Sequence, residues 1–109
     1  MKENISFEFI KSDKIEQNIY YRIPKILFES SVFDVLSIDA KYLYSFMLDR
    51  VSLSNKNKWI DSDGRVYIIY TVKQVCEILN CGKDKASKLL AELDSKKGIG
   101  LIERVRRGL

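Results

Sequence analysis

The sequence contains no histidine, and this absence excludes several enzyme classes. Ser-His and Cys-His nucleophile pairs both need an imidazole base, and so does ordinary acid-base catalysis by histidine near neutral pH. A phosphate-binding glycine loop is missing as well, because Gly82-Lys83 has no glycine five positions earlier and Asp84 follows the lysine. The sequence therefore predicts a protein that is not an enzyme and that uses no cofactor.

Cysteine is scarce, and no metal site is predicted. The two cysteines, Cys76 and Cys81, are five positions apart rather than three, and without histidine a zinc site would need carboxylates to complete it. Residues 61–64 contain two aspartates, but their glycine comes two places too early for a calcium-binding EF-hand loop. We interpret Cys76 as a core residue and Cys81 as a turn residue, with a structural or redox role for the pair as the less favoured alternative.

Long apolar runs are also absent, and there is a single proline. No stretch reaches the ~18 apolar residues that cross a bilayer, and the N-terminus has no small-residue cleavage site of the secretory type. We therefore expect a reduced, cytoplasmic setting and no membrane association. A chain of 109 residues with 46% hydrophobic residues is long enough for one core, so residues 1–109 are predicted to form a single domain.

The net charge of +4 is concentrated near the end of the chain. Residues 83–109 contain eight basic and four acidic residues, so the first 82 residues hold eleven of each sign. A local basic surface is suited to neutralising phosphate groups. This distribution favours a nucleic-acid partner for the last quarter of the chain.

The hydrophobic pattern of the N-terminal half of the sequence predicts two short strands and two helices. Apolar alternation over residues 5–9 and an extended run over residues 19–23 are typical of strands, and Pro24 then suits the start of a short helix. The apolar stripe over residues 40–51 has helical spacing, with Ser37 placed as its N-cap.

Two aromatic residues of the second helix, Tyr42 and Phe46, lie off its apolar stripe. A helix that is apolar on two sides must be covered twice, either by the N-terminal strands or by a second subunit. We interpret residues 1–23 as a candidate dimerisation arm, and the candidate dimerisation residues are Phe7, Phe9, Tyr42 and Phe46.

The C-terminal half predicts a hairpin and a helix-turn-helix. Residues 59–61 and 66–70 flank Asp63-Gly64, which is typical of a tight hairpin turn. Thr71 and Gln74 have the spacing of a capping box, and the helix that they start is followed by a three-residue turn and a second amphipathic helix. The helix-turn-helix is predicted to span residues 71–96.

The outward face of the second helix of this motif is the candidate DNA-contacting surface, because such motifs place that helix in the major groove. Small Ser87 and Ala91 would permit close approach, the lysines would donate to phosphates or guanine, and Asp84 would accept from a cytosine amine. The alternative is a solvated helix face on which Asp84 complements the helix dipole. The candidate residues on this helix are Lys83, Asp84, Lys85, Ser87, Lys88 and Ala91.

Residues 97–109 predict the first part of a wing. Gly98 and Gly100 suit the end of a helix, and residues 101–107 alternate as a strand that would pair with residues 66–70. The fold class is therefore predicted as α+β, a winged helix with extra N-terminal strands and a β-hairpin. Three further DNA-binding candidates lie in this segment, Arg104, Arg106 and Arg107. Their alternative role is to protect an edge strand, by their charge, from pairing with another chain.

The chain stops in the middle of the expected wing, and we expect it to be the N-terminal fragment of a longer protein. Several blocks of the sequence match a known family, namely residues 21–24, 59–61, 64–67, 79–81, 89–90, 93, 97–104, 106 and 108–109. These blocks resemble the RepA_N family of plasmid replication initiators, and the staphylococcal-plasmid type most. Gly82 departs from the family pattern, which often has serine there.

The resemblance implies sequence-specific binding of double-stranded DNA at repeated sites in a plasmid replication origin. It also implies a homodimer, possible association of dimers into higher-order species, and a separate C-terminal region that recruits host replication proteins. Two alternatives remain open, a winged-helix transcriptional repressor and a winged-helix protein-protein interaction module. The clustered charge argues against the interaction module.

Overall fold

A computed structural model describes residues 20–105, apart from the side chains of residues 53–55. The predicted strand at residues 5–9, the candidates Phe7 and Phe9, and the arginines Arg106 and Arg107 lie outside these residues. Within the described part the chain forms four α-helices, with a 3-10 turn at Ser31–Phe33 between the first two. They are α1 (Ile26–Glu29), α2 (Ile38–Lys56), α3 (Val72–Leu79) and α4 (Lys83–Leu93).

Strand structure in the described residues is limited to two isolated bridges, Ile60 with Val66 and Asp94 with Ile102. Residues 20–23 of the predicted second strand are not in a strand. The described residues therefore form a helical domain with few strands, and of the β structure expected from the sequence they contain the hairpin turn and these two bridges. A strand needs a neighbouring strand to accept its backbone hydrogen bonds. The extended segments of this chain instead pack on the helices through side chains, such as Tyr21 on Phe46 and Ile68 on the core.

Helix α2 forms where its apolar stripe predicted it. The Ser37 hydroxyl accepts a hydrogen bond from the N–H of Ala40 at 3.2 Å, which confirms Ser37 as the N-cap. The helix continues to Lys56, beyond the end of its apolar stripe at residue 51. Lys58, with a φ of 59°, takes the left-handed conformation that turns the chain.

The core lies where α2, α3 and α4 meet. Ala40, Leu43 and Met47 of α2 face Val75 of α3 and the apolar stripe of α4. The apolar residues of α4 with helical spacing are all buried, namely Ala86, Leu89, Leu90 and Leu93. Cys76 and Cys81 pack against the edge of this core as half-buried free thiols.

The connection between α3 and α4 is tight. Thr71 and Gln74 form the predicted capping box, with bonds of 3.1 and 2.8 Å. At the other end of α3, Asn80 takes the left-handed conformation, with a φ of 51°, and asparagine tolerates this better than most residues. Gly82 is extended and a side chain there would meet nothing within 4 Å, so the turn depends on Asn80 rather than on glycine.

The predicted hairpin turn is present. The N–H of Gly64 donates to the carbonyl of Asp61 at 3.1 Å, and Gly64 has a φ of 79°. The Asp61 carboxylate accepts from the backbone N–H groups of Asp63 and Arg65, both at 2.9 Å. Those two bonds, with the Arg65 side chain as a further donor, lower the pKa of Asp61, the Arg65 backbone bond contributing most. This carboxylate organises the turn.

Helix α4 ends at Leu93, earlier than the residue 96 expected from the sequence. The chain then folds back on the helix end, where the N–H groups of Gly98 and Ile99 donate to the carbonyls of Asp94 and Glu92. This loop uses carbonyls that a helix end leaves without partners, and so it stops the helix.

The predicted pairing of residues 101–107 with residues 66–70 is not formed in the described part of the chain. Ile102 instead forms a parallel bridge with Asp94, because the folded-back loop brings it beside the end of α4. Its N–H donates to the carbonyl of Leu93 at 3.0 Å, and its carbonyl accepts from the N–H of Ser95 at 2.8 Å. In the described residues, Arg65, which directly precedes residues 66–70, forms an ion pair of 3.0 Å with Glu103 of residues 101–107.

Glu92 connects α4 to the start of α2. Its carboxylate accepts from the N–H of Ser37 at 2.8 Å and from the Ser37 hydroxyl at 2.9 Å. Hydrogen bonds to a charged acceptor are stronger than neutral ones, and these two bonds hold the N-cap residue Ser37 in place. The residues are 55 positions apart, so the bond links the end of α4 to the start of α2 across the fold.

We expect Glu92→Ala to reduce the free energy of unfolding by about 1–2 kcal/mol, because Ser37 loses its partner and α2 its supported cap. Urea denaturation followed by circular dichroism measures the change. Glu77→Ala on the exposed surface of α3 is the matched control and should stay within about 0.5 kcal/mol of wild type. Equal stability of the two variants would contradict a capping role for Glu92.

Candidate nucleic-acid interface

The face of α4 opposite its buried stripe is exposed and carries most of the predicted DNA-binding residues. Lys83, Asp84, Ser87 and Lys88 are exposed, and Ala91 is half-buried near the end of the same face. Among the described residues, Lys83 and Lys88 have no ion-pair partner. Their ammonium groups are therefore available to an external anion. Asp84 lies in the first turn, where its charge also complements the helix dipole.

Lys85 occupies the flank of this face and has an internal partner. Its ammonium nitrogen lies 2.8 Å from a carboxylate oxygen of Asp39 in the first turn of α2. The hydrogen bond that Lys85 donates to the Asp39 carboxylate, together with the negative charge of Asp39, raises the pKa of Lys85. The structure thus places Lys85 apart from Lys83 and Lys88, as a residue that joins α4 to α2.

Arg104 is also paired within the chain. Its guanidinium donates to the carboxylate of Asp94 at 3.0 Å, and the Asp94 side chain is only 6% exposed. This hydrogen bond is the main cause of a lowered pKa at Asp94. Because Asp94 caps the C-terminal end of α4, Arg104 is first of all a residue that holds the segment after the helix against it. The remaining guanidinium donors face outward, since Arg104 keeps 39% exposure.

The Asp94–Arg104 pair predicts a pH dependence of stability. The folded-state pKa of Asp94 is lowered, so its contribution is complete above the unfolded pKa of about 3.9 and is lost as the pH falls through the folded value. Titration of the carboxyl carbons by NMR should show the pKa of Asp94 rising toward its ordinary value in Arg104→Gln. The lowered pKa of Asp61, which rests on Arg65, should not move. An unchanged Asp94 titration would contradict the pairing.

Asp39 and Glu92 position the α4 face, and the sequence patterns did not predict this role for either residue. Both act across helices, Asp39 on Lys85 and Glu92 on Ser37. No local pattern pairs residues this far apart in the chain. One feature of the sequence indicates this role: Asp39 falls in the first turn of α2 and Glu92 in the last turn of α4, each near a face that packs on another helix.

The candidate dimerisation residues of α2 differ in their surroundings. The Phe46 ring meets the Tyr21 ring edge to face, with centroids 4.5 Å apart, so Phe46 is covered by its own chain. Tyr42 remains 45% exposed. Other exposed apolar side chains occur in the same stretch of sequence, at Phe28, Val32, Val35 and Ile38.

Helices of the described region are too short or too polar to cross a bilayer. The same region contains no group of three or more acidic or cysteine side chains arranged to hold a metal ion. The exposed α4 face presents ammonium, hydroxyl and carboxylate groups.

The described residues thus form a small helical domain in which α4 presents an exposed, lysine-bearing face. This chain belongs to the RepA_N family, described as "Replication initiator protein A (RepA) N-terminus", which it matches over residues 19–109. The family suggested by the sequence blocks is thereby confirmed. A "41 kDa protein" of Lactobacillus helveticus is 30% identical over 95 residues. The match covers 87% of this chain and 26% of that protein, so the chain spans about a quarter of this relative's length.

Solved structures show the same relationship. One described as "N-Terminal domain of DNA binding protein" is 36% identical, with a TM-score of 0.72, over 95% of this chain and 77% of that one. Another, "Structure of MDR initiator", is 41% identical, with a TM-score of 0.63 over 79% and 71% of the two chains. A third, "Structure of Rep-DNA complex", is 36% identical, with a TM-score of 0.62 over 79% and 69%. The arrangement of helices is therefore shared with initiator proteins.

Proposed function

We propose that this chain binds double-stranded DNA in a sequence-specific manner, at repeated sites in a plasmid replication origin, as the N-terminal domain of a replication initiator. The observation that carries the proposal is the exposed face of α4 in a chain of the RepA_N family, with two lysines that have no ion-pair partner among the described residues. A similar chain has been solved as a Rep-DNA complex, which supports DNA as the ligand.

In this proposal α4 enters the major groove. Lys83 and Lys88 contact phosphates or the acceptors of guanine, and Asp84 accepts from a cytosine amine. Ser87 and Ala91 leave room for the base edges. Lys85 and Glu92 hold the helix at the required angle through Asp39 and Ser37, so that the exposed face is presented in one orientation.

We further propose that α3 and α4 form the helix-turn-helix of a winged helix, with the segment from residue 97 as the first part of the wing. The three-residue connection between the helices and the Arg65–Glu103 ion pair support this assignment. Arg104, Arg106 and Arg107 then contact phosphates or the minor groove from the wing. Arg104 makes this contact through the guanidinium N–H groups that do not donate to Asp94.

The proposed domain has no enzymatic activity and acts in the cytoplasm. It is a homodimer whose interface includes Tyr42 and the N-terminal arm with Phe7 and Phe9, and Phe46 supports that interface from within the chain by packing on Tyr21. Dimers associate further when DNA sites are repeated. Host replication proteins bind a separate C-terminal region of the initiator.

Footprinting of this chain on the DNA that encodes it, across a salt series, tests the proposed function. Protection should fall on repeated sequences of the origin, with affinity that declines steeply as salt rises. Protection of a single promoter operator would indicate a transcriptional repressor. Uniform protection, or none at low salt, would contradict sequence-specific binding and favour a protein-protein interaction module.

A further inference from the structure

The C-terminal end of α3 brings the two cysteines of the chain together. The carbonyl of Cys76 accepts from the N–H of Asn80, which is left-handed, and from the N–H of Cys81 at 3.1 Å. The second bond closes a loop of six residues and is the defining bond of a Schellman helix end. Side chains at the first and last positions of this motif usually contact each other, and here both positions are cysteine.

The hydrogen bond limits the distance between the two residues. With standard bond lengths, a 3.1 Å contact between the Cys81 nitrogen and the Cys76 oxygen keeps their Cα atoms within about 7 Å. Disulfides join Cα atoms about 4.4–6.8 Å apart, so this limit on the Cα separation is compatible with a disulfide. Both thiols are free and only half-buried, which leaves them accessible to a small reagent.

We propose that Cys76 and Cys81 form a dithiol modification site that a low-molecular-weight disulfide oxidises to an intramolecular disulfide. One cysteine thiolate attacks the reagent's S–S bond, which breaks to give a mixed disulfide and one reagent thiol. The second cysteine thiolate then attacks the protein sulfur of the mixed disulfide and releases the second reagent thiol. Each cysteine loses one proton, and the two electrons reduce the reagent's disulfide to two thiols.

The site connects the two helices that carry the candidate interface. Cys81 directly precedes Gly82, the N-cap of α4, while Cys76 lies within α3. The disulfide therefore joins the last turn of α3 covalently to the start of α4. The inference depends on the helix end alone and stands whether or not α4 binds DNA.

Equilibration of the chain with reduced and oxidised glutathione tests the site, under native conditions and in urea. Mass spectrometry after alkylation separates the reduced chain, the glutathione adduct and the intramolecular disulfide. If the folded chain holds the thiols together, the effective concentration of one thiol at the other should be about tenfold higher natively than in urea. Glutathione adducts should be a minor species of the native wild type.

Cys76→Ser and Cys81→Ser are the matched controls, because each keeps one thiol in the same turn. Each should accumulate the glutathione adduct, since the attacking partner is missing. An intramolecular disulfide that forms no more readily in the native chain than in urea would overturn the proposal. So would a native wild type that accumulates adducts like the single variants.

Discussion

Gly98→Ala is expected to reduce the free energy of unfolding by about 3 kcal/mol or more, the largest effect of any single substitution considered. A side chain built on Gly98 would overlap the backbone carbonyls of Ala91 and Glu92 at the end of α4. Backbone atoms cannot move aside as the end of a flexible side chain can. The loop would have to leave the helix end and give up the hydrogen bonds of Gly98 and Ile99 to Asp94 and Glu92.

Urea denaturation of Gly98→Ala and Gly82→Ser measures this effect against a matched control. Gly82 is extended with open space around it, and serine is a better N-cap than glycine, so Gly82→Ser should be as stable as wild type or slightly more stable. A Gly98→Ala variant that unfolds at the wild-type urea concentration would show that the loop does not pack against α4 as described.

Replacing Lys88 with alanine is expected to weaken DNA binding about fivefold near physiological salt and to lower the salt slope by about 0.9. Lys88 is exposed on the proposed contact face and has no ion-pair partner among the described residues. Its charge is therefore free to displace a counterion from DNA. The double variant Lys83→Ala with Lys88→Ala should lose about 1.8 from the slope if each lysine neutralises one phosphate. Fluorescence anisotropy with a labelled duplex gives both quantities.

Two single-lysine variants serve as controls with the same change in charge. Lys56 lies at the far end of α2, roughly 28 Å along the helix from the end that contacts α4, and Lys56→Ala should leave the slope nearly unchanged. Lys85 is already neutralised by Asp39, so Lys85→Ala should lower the slope by less than Lys88→Ala. Equal effects of Lys56 and Lys88 would indicate a general charge effect and no defined contact face.

Local patterns were sufficient to predict α2, α3 and α4 and their starts, whereas α1 begins at Ile26, two residues after the predicted start at Pro24. The capping box of Thr71 and Gln74 and the cap at Ser37 involve residues three positions apart, so the sequence shows both partners at once. The buried stripe of α4 follows from helical spacing in the same way. The family was also recognisable from its blocks and is confirmed over residues 19–109.

Contacts between distant residues were not predictable in this way. The Glu92–Ser37 cap joins residues 55 positions apart, and the early end of α4 depends on a loop that returns to it. Alternation over residues 101–107 indicated a strand. The residue that pairs with Ile102 depends on the folded-back loop, which places Ile102 beside Asp94. Lys85 and Arg104 carried the right charge for DNA, and only the structure shows their pairing with Asp39 and Asp94.

Backbone NMR of this chain during titration with a duplex that contains its footprinted site tests the central claim most directly. If α4 is the DNA-contacting helix, the largest amide shift changes should fall on residues 83–91. Smaller changes should occur near Arg104, and α1 and the hairpin at residues 60–66 should change little. Large changes in α1 or the hairpin with an unperturbed α4 would contradict the assignment of the interface.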